Sequence, residues 1–174
     1  EELRRFAPSL IPVLAMTRAL SKLAAEPEMA CHLDEYLKNQ IRLVAFQLEK
    51  GLFLQAVTLG REILISALMI RMGLDSKWRD ADIRHEVSRT LTGGSLAMQH
   101  KPYEPTRYSE ILSTYPDWRE LVLIWTKISD LRNNLAHCGM NQRDDRPRSI
   151  RKRASQILPD IEHFFMLCVQ EKRD

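Results

Sequence analysis

Arg132 and His137 are the side chains whose types and spacing best suit chemistry. They lie in the segment Ser129-Asp130-Leu131-Arg132-Asn133-Asn134-Leu135-Ala136-His137-Cys138-Gly139. A histidine with a pKa near neutrality can take up a proton or give one away. An arginine stays charged and presents a planar fork of donors, which fits phosphate oxygens and stabilises charge that develops on them. On an uninterrupted helix, residues five apart sit about 140° apart around the axis. With the apolar stripe of this segment centred on Ile128, Arg132 falls inside the stripe and His137 on the opposite side. A guanidinium in a core-facing stripe needs a partner or a second surface to face. Two arrangements meet that need. Either the helix ends before His137, with Gly139 as its stop, or this face packs against another subunit; both bring Arg132 and His137 toward one cleft. A purely structural role also has a physical basis, since a histidine at a helix C-terminus is favoured by the helix dipole.

The elements that must hold these residues read as helices. Only 6 of 174 residues are glycine, and the stretches between turn residues are rich in Leu, Ala, Glu, Arg and Met. A leading segment, residues 12–25, carries a loose apolar stripe that Glu26-Pro27 breaks. Residues 28–50 place Leu33, Leu37, Ile41, Val44 and Leu48 at helical spacing, and Gly51 ends that run. Residues 52–72 are apolar over much of the circumference and predict a central helix stopped by Gly73. The very short connection makes these two antiparallel neighbours. Residues 79–91 suit a helix closed by a turn at Thr92-Gly93-Gly94, and Pro102 and Pro105 imply an irregular connection. Pro116-Asp117 starts the helix that carries Leu121, Ile124, Trp125, Ile128, Leu131 and Leu135 on one stripe. The last helical region, 149–172, must kink or split at Pro159. The expected fold class is all-α, an antiparallel helical bundle.

Arg132-Asn133-Asn134-Leu135-Ala136-His137 matches the Arg, four residues, His pattern of HEPN ribonucleases, including the polar residue they favour directly after the Arg. Leu131-Arg132-Asn133 with Ala136-His137-Cys138-Gly139-Met140 resembles the HEPN effector half of CRISPR-associated ribonucleases. So does Gly60-Arg61-Glu62-Ile63-Leu64 upstream. The resemblance implies a HEPN-type bundle over residues 28–174 with a mid-chain insertion, preceded by a linker or leading helix over 1–27. It implies cleavage of single-stranded RNA without metal, through attack of the 2′-hydroxyl to give a 2′,3′-cyclic phosphate, with no cofactor. One histidine cannot easily serve as base and acid at once. A homodimer with a composite site, holding two copies of Arg132 and His137, supplies both. Asn133 is assigned to orienting the histidine or the phosphate. In CRISPR-associated relatives a CARF-type sensor precedes the nuclease. No such βα pattern occurs here, so a sensor is expected upstream of Glu1, which is not an initiator Met.

Composition narrows the alternatives. Hydrophobic residues form 44% and charged residues 28%, a globular balance, and a chain of this length buries roughly two-thirds of its unfolded surface without needing disulfides. Cys31, Cys138 and Cys168 are odd in number and lack CxxC spacing, which fits a reducing cytoplasm with Cys31 and Cys168 as small core residues. No apolar run is read as approaching the ~20 residues of a membrane span. A net charge of +3 is too small to announce a nucleic-acid binder, but its distribution is informative. Arg143, Arg146, Arg148, Arg151, Lys152 and Arg153 follow the motif, against Asp144 and Asp145 alone. Arg143, Arg146 and Arg148 are the candidates for binding flanking RNA phosphates; a solvated basic loop is the plainer account. His85, His100 and His163 have no carboxylate or thiolate at metal-ligand spacing, so no metal site is expected. Ser95 lacks a nucleophile elbow, and no phosphate-binding glycine loop is present. Arg61 and Glu62 suit a buried polar network near a dimer seam, or a simple exposed pair. Three functions are carried forward: a CRISPR-associated antiviral ribonuclease, a HEPN toxin held by an antitoxin, and a non-catalytic helical dimerisation module.

Overall fold

The structure, a computed structural model, describes residues 33–136 and 147–170, and every element in these segments is helical. Helix α1 (Leu33–Glu49) buries Leu33, Leu37, Ile41 and Val44 along the expected stripe. It carries Asp34 and Glu35 in its first turn, where the helix dipole favours acids. Helix α2 (Phe53–Arg71) follows after three residues. Gly51 makes this sharp reversal possible: its φ is +74°, its N–H donates to the Leu48 carbonyl at 3.0 Å, and the Leu52 N–H reaches the Gln47 carbonyl at 2.8 Å. These two bonds close the helix end in the manner that a left-handed residue requires. Gly73, at φ +71°, repeats the arrangement after α2.

Helix α2 is the hub of the bundle. It packs against α1 and against three helices still to come in the chain, and nearly all its residues from Ile63 to Ile70 are sealed in the core. By length and composition alone these 19 residues could cross a membrane, a feature the reading of apolar runs passed over. In the bundle, 61% of the most apolar window is buried by other helices, so its hydrophobicity is accounted for as core.

One turn of 3-10 helix at Asp75–Lys77 leads to α3 (Ala81–Met98). The Asp80 carboxylate caps α3, accepting from the Asp82 and Ile83 N–H groups at 3.0 and 3.1 Å. Here the sequence-based expectation needs correction: Thr92-Gly93-Gly94 forms no turn, and the helix runs straight through it to Met98. The glycines serve close packing instead. A Cβ on Gly94 would lie 2.7 Å from a Val122 methyl, and one on Gly93 would lie 2.9 Å from the Tyr103 ring. The mid-chain stretch thus contributes a bundle helix, with Ile83, Val87 and Leu91 buried.

Helix α3 ends on a residue ill suited to the job. His100 adopts φ 55°, its N–H bonding the Ala97 carbonyl while Lys101 N–H bonds Leu96. A left-handed conformation costs a non-glycine residue roughly 1–2 kcal/mol, part of which glycine would return as lost chain entropy. His100→Gly is therefore expected to stabilise the protein by about 0.5–1 kcal/mol, measured as a rise in the urea midpoint with unchanged slope.

An irregular stretch with Pro102 and Pro105 reaches the short α4 (Ser109–Thr114) and then α5 (Trp118–Ala136), which lies against α2 and α3. Trp125, Ile128 and Leu131 anchor α5 in the core. Helices α6 (Pro147–Ser155) and α7 (Ile157–Gln170) complete the described chain. The split expected near Pro159 falls at Gln156, which places the proline in the first turn of α7, where no backbone N–H is needed. Helix α7 packs across α2 at Gly60, where an added Cβ would meet Ile161 at 2.5 Å. Cys168 is buried in the core, as expected. Residues 12–25 and Cys31 lie outside the described residues.

Candidate functional site

Helix α5 carries two stripes. Leu121, Ile124, Ile128 and Leu131 face the core, and Trp125, Ser129, Arg132 and Asn133, at spacings of four, three and one, border a polar groove. That groove is a cavity of about 260 Å³ lined by Arg61 of α2, Thr92 and Ser95 of α3, and Trp125, Thr126, Ser129, Asp130, Arg132 and Asn133 of α5. Three helices thus place two guanidiniums and four hydroxyl-bearing side chains around one hollow.

Arg61 is the best anchored of these groups. Its guanidinium lies 4.6 Å from the centre of the Trp125 ring and donates to Ser88 Oγ at 3.0 Å. Trp125 is itself fixed, donating from Nε1 to Thr92 Oγ1 at 3.3 Å, while Thr92 donates to the Ser88 carbonyl. Glu62, the next residue, turns to the other side of α2. It accepts from Arg84 at 2.7 Å, and Arg84 also donates to Ser66 Oγ and the Trp78 carbonyl, both at 2.8 Å. Arg61 and Glu62 thus serve two separate networks, and Arg61 is left with neutral partners. Burial lowers the Arg61 pKa, the Glu62 charge offsets part of this, and the Arg132 charge adds to the lowering. A guanidinium cannot escape by losing its proton at ordinary pH, so its burial beside a like charge is a standing cost of the fold.

Arg132 occupies the last turn of α5, half-buried, with Nη1 donating to Asn133 Oδ1 at 3.3 Å. Asn133 is exposed and holds the Arg132 fork from the solvent side. Asn134 is buried, in keeping with a structural role. His137, Arg143 and Arg146 lie outside the described residues. Arg148 falls on α6, which packs against α5 and α7. Lys127, Asp130, Arg153, Gln156 and Asp160 line a second cavity of about 350 Å³ between these three helices, bridged by a 3.3 Å contact from Lys127 to Asp160. Among the described residues, no three His, Cys, Asp or Glu side chains gather as metal ligands would. His163 pairs with Glu120 at 2.9 Å on the surface.

The structure therefore gathers Arg132 and Asn133 as the α5 contribution to a basic, hydroxyl-lined hollow. Sequence reasoning marked Arg61 as unusual but did not join it to Arg132; it read Thr92 as part of a turn, weighed Ser95 only as a nucleophile, and gave Ser129 no role. One signal was present. Trp125, Ser129 and Arg132 recur at four and three residues, a second stripe beside the apolar one. No family model, curated protein or solved structure matches the chain.

Proposed function

We propose that this chain is a metal-independent endoribonuclease of HEPN type, acting on single-stranded RNA as a homodimer. The observation that carries the reading is the position of Arg132. It stands half-buried on the last turn of an amphipathic helix in an all-helical bundle, in a basic hollow, five residues before His137 in sequence. A guanidinium there serves the phosphate undergoing attack, stabilising the charge that its oxygens gain in the transition state. His137 takes the 2′-hydroxyl proton in one protomer and protonates the departing 5′-oxygen in the other. Asn133, bonded to Arg132, keeps the fork aimed. The basic residues that follow, Arg143, Arg146 and Arg148, hold flanking phosphates. The resemblance around Leu131-Arg132-Asn133 and Gly60-Arg61-Glu62 favours a cytoplasmic CRISPR-associated antiviral effector commanded by a CARF-type sensor.

The products test this reading. Single-stranded RNA incubated with the protein in excess EDTA is expected to yield 2′,3′-cyclic phosphate and 5′-hydroxyl ends, read by mass spectrometry. Ends bearing a free 3′-hydroxyl would contradict it, because they require a different nucleophile. The division of labour between two histidines predicts a rate that passes through a maximum near neutrality. A flat profile from pH 5 to 9 would rule that division out.

A further inference from the structure

We propose that Arg61 and Ser129 form, with Arg132, a preformed pocket for one phosphate group, taken from the backbone of the RNA substrate. The pocket stands on the geometry; that RNA is the source of the phosphate rests on the ribonuclease reading.

Three observations converge. First, Arg61 and Arg132 line the same cavity, and among the described residues neither has a carboxylate ion-pair partner, although Asp130 stands on the cavity wall. Two unneutralised guanidiniums around one hollow repel each other, and an anion between them converts that repulsion into two charge-assisted contacts. Second, the Ser129 hydroxyl lines this cavity, is shielded from solvent, and has no hydrogen-bond partner. A buried hydroxyl left without a partner costs free energy, so its place beside two cations fits a donor awaiting an acceptor. Third, the size fits. About 260 Å³ falls below the range of a small-molecule pocket, roughly 300–1,000 Å³, and suits a single charged group.

The roles divide by rigidity. Arg61 is held by the Trp125 face and by Ser88, so it is oriented before any ligand arrives. Arg132, tethered by an exposed Asn133, closes the clamp from the end of α5. Thr92 is already committed, donating to the Ser88 carbonyl and accepting from Trp125, so it supports the pocket without facing the anion. Ser95 lies 2.9 Å from the Thr126 hydroxyl and completes the α3 wall.

Two probes test the proposal on the full chain: inorganic phosphate, and a single-stranded RNA fully 2′-O-methylated so that it cannot be cleaved. Phosphate is expected to raise the melting temperature of the protein beyond chloride of equal ionic strength. Arg61→Gln should weaken phosphate binding at least tenfold, Arg61→Lys by less, and Arg119→Gln, at the exposed start of α5, not at all. Ser129→Ala should lower phosphate affinity about tenfold, the effect of one hydrogen bond to a charged group, yet raise the melting temperature of the ligand-free protein. That opposition of sign is one a merely structural serine would not show, and it keeps the test alive if Arg61→Gln does not fold. For the methylated RNA, Arg61→Gln should also reduce the slope of log affinity against log salt by roughly 0.7, one phosphate contact. Equal phosphate binding by the wild type, Arg61→Gln and Ser129→Ala would overturn the pocket, even if RNA is cleaved. Phosphate bound through Arg61 but a salt slope unchanged by Arg61→Gln would overturn RNA as the source. A phosphate pocket in a protein that cleaves no RNA would instead remove the ribonuclease reading and with it that source.

Discussion

Replacing Arg132 by Ala is expected to slow RNA cleavage by about 10²–10³-fold, the range seen when a positioned donor to developing negative charge is removed. The same change should leave stability within about 0.5 kcal/mol of the wild type, or slightly above it. The reason lies in its surroundings. Among the described residues Arg132 bonds only an exposed Asn133 that can return to water, and its positive charge depresses the pKa of the half-buried Arg61. Removing it strands no partner and relieves a repulsion. Initial cleavage rates and thermal melts on the same samples make the comparison. Activity and stability falling together would show that Arg132 serves the fold.

The largest expected loss of stability lies at the opposite end of α5. Arg71, at the end of α2, has a side chain only 3% exposed; it donates to Asp117 Oδ2 at 2.8 Å and lies 4.1 Å from the centre of the Tyr115 ring. Asp117 is 16% exposed and precedes the first turn of α5, so the pair pins the start of that helix to the hub of the bundle. Taking away the carboxylate leaves a cation where water cannot reach it. Asp117→Ala should therefore cost about 3–5 kcal/mol, including a smaller part for the lost helix-start residue, and lower the melting temperature by roughly 10 °C for a chain of this size. The double change Arg71→Met with Asp117→Ala should recover most of that loss, because an apolar pair needs no compensation. A double variant as unstable as the single one would show that the loss comes from the helix start and not from the stranded charge. Activity serves as a useful contrast, since Asp117 stands 15 residues, roughly 22 Å, from Arg132 at the other end of α5.

The bundle was legible because its helices announce themselves locally. The stripe of α1, the all-round apolarity of α2 and the Ile128-centred stripe of α5 each report how much surface a helix must bury, and the structure buries those faces. Stops read from glycine were right at Gly51 and Gly73, where φ is positive. The same rule failed at Gly93-Gly94. Glycine there answers to the neighbouring Tyr103 and Val122, and close approach between elements distant in sequence leaves no periodic signature. That error had a consequence for the site. Ending α3 near Leu91 removed Ser95 from the helix that walls the hollow and left Thr92 in a supposed loop. Arg132 was legible as a cation in an apolar stripe in need of something to face. What it faces was not, because Arg61 reaches it from α2, 71 residues earlier, through a packing arrangement set by three helices together. Arg143 and Arg146 remain expectations from the sequence, as does His137.

His137 is where the account is most directly exposed to test. The measurement is cleavage of a fluorescent single-stranded RNA in excess EDTA by the purified wild-type protein and by its His137→Ala variant, with native mass recorded for both. The account predicts metal-independent cleavage by the wild type, and a loss of about 10²–10⁴-fold in a variant that remains dimeric. Equal cleavage by the two proteins would contradict it, because the proton transfers would then need no histidine at this position.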